Sequence, residues 1–185
     1  AEFNALLIWV LESDYCFQNF FLSKLLNLRT DFMAELLTIG EPLVVFASKD
    51  LDVSLDDAKN FRKYVAGAEL NVAIGTARLG HSVTYISRVG NDPLGNFVTK
   101  WLKEANVNTT YMQHSNNNTG FMMKQLVSSG NPAIYYRREQ SAASRIDASD
   151  LEKVSLANVK LAHLTGIFAG VSEKSHATML ELIHR

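Results

Sequence analysis

From Met33 onward, short apolar runs alternate with amphipathic segments. "ELLTIG" (35–40) and "LVVF" (43–46) are punctuated by Gly40 and Pro42 and predict strands. "SLDDAKNF" (54–61) opens on a Ser cap and acids and predicts a turn, and "FRKYVAG" (61–67) a brief strand. In "ELNVAIGTARLG" (69–80), Leu70, Ile74, Ala77 and Leu79 fall near one helical face, and Gly80 supplies the stop. "SVTYISRVG" (82–90) alternates and is rich in β-branched residues, so it predicts a strand. "DPLGNFVTKWLKEANV" (92–107) begins with a capping Asp and a first-turn Pro, which predicts a helix. "TTYMQHS" (109–115) predicts a strand, and "TGFMMKQLV" (119–127) and "PAIYYRR" (132–138) predict a hairpin around "SSGN". "DASDLEKVSL" (147–156) predicts a capped helix, "VKLAHLTG" (159–166) a buried strand, and "SEKSHATMLELIHR" (172–185) a final helix.

Strand and helix in alternation predict an α/β domain around a largely parallel sheet. The stretches 43–66 and 119–138 break the alternation and predict a small separate sheet whose strands leave the core and return. The last helix would ordinarily feed another strand, so the domain is expected to be incomplete.

Residues 1–32 read differently. "ALLIWVL" (5–11) is stopped by Glu12 and Asp14, and a spanning helix needs roughly 18 apolar residues. No positive charge precedes Lys24, which argues against a secretory signal. "FFLSKLLNL" (20–28) has helical apolar spacing. This segment is expected to be an extension foreign to the domain, the alternative being a docked amphipathic helix.

Among the 185 residues, 18 Lys and Arg face 19 Asp and Glu, a net charge of −1. That balance gives no electrostatic reason to expect nucleic acid or an anionic membrane as partner. The single cysteine, Cys16, can form no internal disulfide, so a reducing cytoplasm is the expected compartment.

"GTARLGHS" (75–82) has the outline of a phosphate loop, but His81 stands where Lys is required and the segment ends a helix instead of opening one. None of His81, His114, His163, His176 and His184 has a second His or Cys at ligand spacing, so no metal site is expected. His163, in an apolar strand, reads as a core histidine.

Two patterns remain. Gly67-Ala68-Glu69-Leu70-Asn71 opens a helix with an acid and an amide that capping alone does not require; a ligand at the helix start would use them. Tyr136 and Arg138, two apart on a strand, face one side. The guanidinium fork matches a carboxylate or phosphate, and Tyr adds a hydroxyl beside a flat apolar wall. Tyr135 and Arg137 repeat the pair on the other face, and an exposed hairpin, or Arg paired with a Glu, explains the pattern equally well.

"TIGEP", "AGAELNVAIGTARLGHSVTYISRVGNDPLG", "TGFMMKQ", "YYRREQSAAS" and "LAHLTGI", in this order, resemble the ribokinase-like (phosphofructokinase-B type) sugar kinases, most of all 2-keto-3-deoxygluconate kinases. The resemblance runs from Met33 to Arg185. It implies part of a Rossmann-like ribokinase fold with an inserted small β-sheet lid that covers the sugar. It implies that Gly67 lets substrate hydroxyls approach the backbone, that Asn71 contacts the sugar, and that Tyr136 and Arg138 hold the ketoacid. Met122 stands where a family aromatic lines the pocket. Such enzymes transfer the ATP γ-phosphoryl group to a sugar hydroxyl with Mg²⁺, and the lid sheet can pair with another copy.

Two departures matter. The family's usual Gly-Gly is Ala66-Gly67 here, and neither its Asp-x-Asn-x-Arg strand nor its Gly-Ala-Gly-Asp motif occurs. The catalytic Asp and the ATP and Mg²⁺ sites are therefore expected beyond Arg185, and the chain alone is not expected to catalyse transfer. The rival expectations are a kinase of fructose, another sugar or a nucleoside, and a non-catalytic β-lid interaction module.

Overall fold

The strand-forming runs pair into two four-stranded sheets in the computed structural model, which describes residues 35–185; the expectation for residues 1–32 lies outside them. The elements run β1 (Leu36–Ile39), β2 (Leu43–Leu51), β3 (Phe61–Ala66), α1 (Ala68–Arg78), β4 (Val83–Gly90), α2 (Pro93–Glu104), β5 (Met112–Ser115), β6 (Phe121–Leu126), β7 (Ile134–Arg137), β8 (Leu161–His163), α3 (Gly166–Ala169) and α4 (Glu173–His184). The first sheet has the order β5-β4-β1-β8, and all its pairings are parallel. The second has the order β3-β2-β6-β7 and is mixed, with β2 antiparallel to β3 and parallel to β6, and β6 antiparallel to β7.

Side-chain alternation builds two cores on the first sheet. Leu36, Val83, Tyr85 and Val89 face one way and pack with Leu70 and Ile74 of α1 and Val98 and Leu102 of α2. Leu37, Ile39 and Ile86 face the other way and pack with Ile146, Leu151, Phe168 and Leu182. Helices therefore cover both faces of the parallel sheet, as its apolar runs require. Val44, Phe46, Val65 and Phe121 carry the first core into the second sheet, with Phe46 and Phe121 edge to face at 5.8 Å.

Local signals set the boundaries. Asp92 caps α2, its side chain accepting from Gly95 N at 2.7 Å, with Pro93 in the first turn. Ser172 and Ser175 form a reciprocal capping box at the start of α4. Gly67 caps α1 at a φ of 142°, a conformation that L side chains rarely adopt.

Three expectations are corrected. The "VKLAHLTG" strand is neither long nor buried: β8 spans 3 residues and Leu161 is 49% exposed, because the strand lies at the sheet's edge with β1 as its neighbour. The helix expected at 147–156 is a single 3₁₀ turn, Ala148–Leu151, because Asp147 and Asp150 satisfy each other's backbone in a capping box that is not continued. Leu79, expected on the buried face of α1, is the C-cap and is 52% exposed.

Candidate functional site

In parallel α/β sheets, ligands bind beyond the carboxyl ends of the strands. There β1 ends at Ile39, and Gly40-Glu41-Pro42 carries the chain straight into the second sheet. Glu41 is 4% exposed. Its Oε1 accepts from the Ser141 hydroxyl, and its Oε2 pairs with Nη2 of Arg138, just past the end of β7. Burying a carboxylate is expensive unless it is paired and hydrogen-bonded; here Oε1 is hydrogen-bonded and Oε2 is met by the guanidinium charge without a hydrogen bond.

Beside it, Glu69 in the first turn of α1 is 1% exposed and accepts from the Thr165 hydroxyl. Burial pushes the Glu69 carboxyl above the usual range, and the Glu41 charge adds to that; Thr165 and Arg138 oppose it. Burial, with the Glu69 and Glu41 charges, also pushes the Tyr85 hydroxyl well up, so Tyr85 stays neutral. His163 is half-buried on β8 with Nδ1 3.1 Å from the Thr38 hydroxyl, and burial lowers its basicity. It sits at the sheet's edge and not within the core.

The residues expected to bind substrate fall as follows. Met122 of β6 lies directly across from Tyr136 of β7 and from Val45 of β2, which in turn lies opposite Tyr64 of β3. Residues directly opposite share a face, so Tyr64, Val45, Met122 and Tyr136 form one row across the second sheet. Two residues beyond Tyr136, Arg138 lies just past the end of β7, where it pairs with Glu41. Tyr135 and Arg137 belong to the opposite face, with Met123 and Phe121 as their partners. Tyr136 is 50% exposed, and the Arg138 side chain keeps 32% exposure.

Gly67 meets the same cluster from the other side: a Cβ there would lie 2.7 Å from the Glu41 carbonyl oxygen. Asn71 follows one turn later, its N–H bonded to Gly67 O at 2.9 Å. Its side chain is exposed, with no hydrogen-bond partner among the described residues. Met122 and Tyr136 are thus brought together by strand register, Arg138 follows just past the end of β7, and Gly67 joins Arg138 through Glu41. Asn71 is tied to this group through the backbone of Gly67 and not through its side chain. A cleft of about 420 Å³ opens between Arg138 and Gln140 on one wall and Gly166, Ile167 and Val171 on the other.

Sequence reasoning left Glu41, Ser141 and Thr165 without a role, and it offered Glu69 as a ligand group where the scaffold in fact uses it. The available signal was a carboxylate placed directly after a buried strand, where it must find a partner. Among the described residues, no group of His, Cys, Asp or Glu is gathered as a metal site. None of their helices is long and apolar enough to cross a membrane.

Comparison with known proteins agrees with this architecture. Over 132 residues the chain is 36% identical to a 2-dehydro-3-deoxygluconokinase of Bacillus subtilis (strain 168), covering 70% of this chain and 40% of that protein. It is 27% identical over 151 residues to a 5-dehydro-2-deoxygluconokinase of Lacticaseibacillus casei, covering 80% and 46%. The chain therefore spans less than half the length of these relatives. A crystal structure of a PfkB protein from Polaromonas sp. JS666 superposes with a TM-score of 0.78 at 31% identity, over 82% of this chain and 51% of that one. The model of the pfkB family of carbohydrate kinases matches residues 33–185, which take in both sheets and the cleft residues, and the chain belongs to that family.

Proposed function

We propose that the natural protein carrying this chain is an ATP-dependent kinase of a keto-deoxy sugar acid, with 2-keto-3-deoxygluconate as substrate and a sugar hydroxyl as phosphoryl acceptor. The observation that carries this reading is the Met122–Tyr136 pair across the second sheet, followed just past the end of β7 by Arg138 on the wall of the cleft. An apolar wall, a phenol and a guanidinium one-third exposed suit a small hydroxylated anion. In this reading the second sheet is a lid inserted at 43–66 and 119–138, and Gly67 and Asn71 meet the sugar from below.

The described residues serve the sugar and not the nucleotide. In this reading ATP and Mg²⁺ would be held mainly by the part of the family's length that this chain, covering 40% and 46% of the two relatives, does not span. When bound, those groups supply the phosphoryl group and its charge neutralisation. Exposed Tyr135, on the face of the sheet opposite Met122 and Tyr136, supports pairing with a second copy through this sheet; the compartment proposed is the cytoplasm. A 5-dehydro-2-deoxygluconate substrate is the second reading, favoured by the Lacticaseibacillus casei relative. The higher identity to the Bacillus subtilis protein supports the first reading over it.

The test is Arg138→Ala, assayed on the sugar acid and on its neutral analogue with the carboxylate reduced to an alcohol. Removing one partner of a buried charged hydrogen bond costs about 2–5 kcal/mol, or roughly 30-fold to several thousandfold in kcat/KM for the acid. The neutral analogue should lose far less. Equal losses on both would overturn the carboxylate assignment.

A further inference from the structure

We infer that Glu41 is the positioning residue of this site, aiming Arg138 at the substrate carboxylate from the point where every passage between the two sheets converges. The inference rests on the sugar-acid reading of Arg138. The chain passes between the sheets four times: from β1 to β2, from β3 to α1, from β5 to β6, and onward from β7.

Each passage meets Glu41. The first contains it. The second contains Gly67, where a Cβ would fall 2.7 Å from the Glu41 carbonyl oxygen. The third contains Gly120, where a Cβ would fall 3.1 Å from Glu41 Oε1 and 2.6 Å from Leu43 Cδ2. The fourth contains Arg138 and Ser141, which take the two carboxylate oxygens separately. The third and fourth passages are also joined directly, Ala142 N to Asn118 O at 2.8 Å.

The division of labour on the carboxylate fixes a direction. Ser141 is held by its own turn, with its N–H bonded to Arg138 O at 3.2 Å, and it fixes Oε1. Oε2 then lies against Nη2 of Arg138 as an ion pair, with no hydrogen bond to any described residue. Guanidinium is a rigid planar fork with five N–H donors, so an ion pair that anchors it at one nitrogen leaves donors for a second anion. Those donors are on a side chain that retains 32% exposure and lines the cleft, while Glu41 retains 3%. A bridge serving only to hold the sheets together would have no need to leave its cation open to the cleft.

The experiment uses the natural protein carrying this chain, with 2-keto-3-deoxygluconate and its neutral alcohol analogue as probes. Glu41→Gln should raise KM for the acid roughly 30-fold, with kcat and the neutral analogue's KM within about threefold of wild type. In an Arg138→Ala background, Glu41→Gln should add no further loss on the acid, since nothing remains to be aimed. Should Glu41→Gln fail to fold, Ser141→Ala, which frees Oε1, is measured in its place and should shift the acid's KM in the same direction. Equal KM increases for acid and neutral analogue, or an additive loss in the double variant, would overturn the role given to Glu41. A non-selective Arg138→Ala overturns the sugar-acid reading itself; a selective Arg138→Ala beside a non-selective Glu41→Gln overturns the present inference alone.

Discussion

Replacing Asp92 by Ala removes a helix cap and an interstrand clasp in one step. Asp92 Oδ1 accepts from Gly95 N at 2.7 Å and from the Thr119 hydroxyl at 2.9 Å, and Oδ2 accepts from Thr119 N at 2.8 Å. The Thr119 oxygen in turn accepts from Gly90 N at 2.8 Å. Thr119 is 3% exposed, so its N–H cannot turn to water when Asp92 is gone. Loss of the cap costs about 0.5–2 kcal/mol, and a stranded buried donor about 1–3 kcal/mol more. Together they predict a loss of about 1.5–5 kcal/mol, or a fall in Tm of roughly 3–20 °C for a domain of this size. Thermal unfolding of the natural protein by calorimetry measures it. Asp92→Asn sharpens the test: its carbonyl can keep the Gly95 bond, but its amide sets a donor against Thr119 N–H, so the loss should be intermediate. The pH dependence has a definite sign. Burial works to raise the Asp92 carboxyl, but the hydrogen bonds from Thr119, Gly95 and Leu94 together outweigh it and hold it below the usual aspartate range. Its contribution is therefore complete above that range and is lost as pH falls through the lowered value, so wild type and Asp92→Ala should converge in acid. A variant within about 0.5 kcal/mol of wild type at neutral pH would refute the reasoning, since that is the scatter of ordinary surface substitutions.

Gly67→Ala forces an L side chain into a φ of 142° against the Glu41 carbonyl and should destabilise by about 1–3 kcal/mol; an unchanged Tm would show that the helix start relaxes freely. Glu69→Gln should raise Tm at neutral pH, because burial holds the Glu69 carboxyl above its ordinary value and the charged form is disfavoured in the fold. Wild-type stability should then rise as pH falls from that raised value toward the ordinary glutamate range, and the variant should be flat there; a variant less stable than wild type at neutral pH contradicts this.

The elements of the fold are legible wherever two local signals coincide. Asp92 with Pro93 marks α2, and Ser172 before an amphipathic run marks α4, because caps and periodicity act within a few residues. The two breaks in the alternation point to a second sheet, since strands not followed by helices cannot extend a parallel sheet. β8 departs from expectation because an apolar run states only what a strand can bury. Whether Leu161 is covered depends on a neighbour across the sheet edge, which no local pattern encodes. The 3₁₀ turn at Ala148–Leu151 departs for the opposite reason: the cap is real, but the capping box closes a single turn.

The site is legible only in the part that strand register supplies. Tyr136 and Arg138 are expected on one face by simple alternation, yet choosing them over Tyr135 and Arg137 requires the resemblance. Glu41 stands 100 residues from Ser141 and shares no sequence window with it. A charged residue's role depends on what it faces, and here that is set by passages far apart in the chain. A buried ion pair is a weak means of holding two sheets together, because an apolar pair of similar volume does so equally well or better. Val44, Phe46, Val65 and Phe121 already join the sheets through the first core. What apolar packing cannot do is fix the plane of a guanidinium. The Glu41–Arg138 pair is therefore better explained as direction than as adhesion, and its removal should show in the selectivity of KM before it shows in the melting curve.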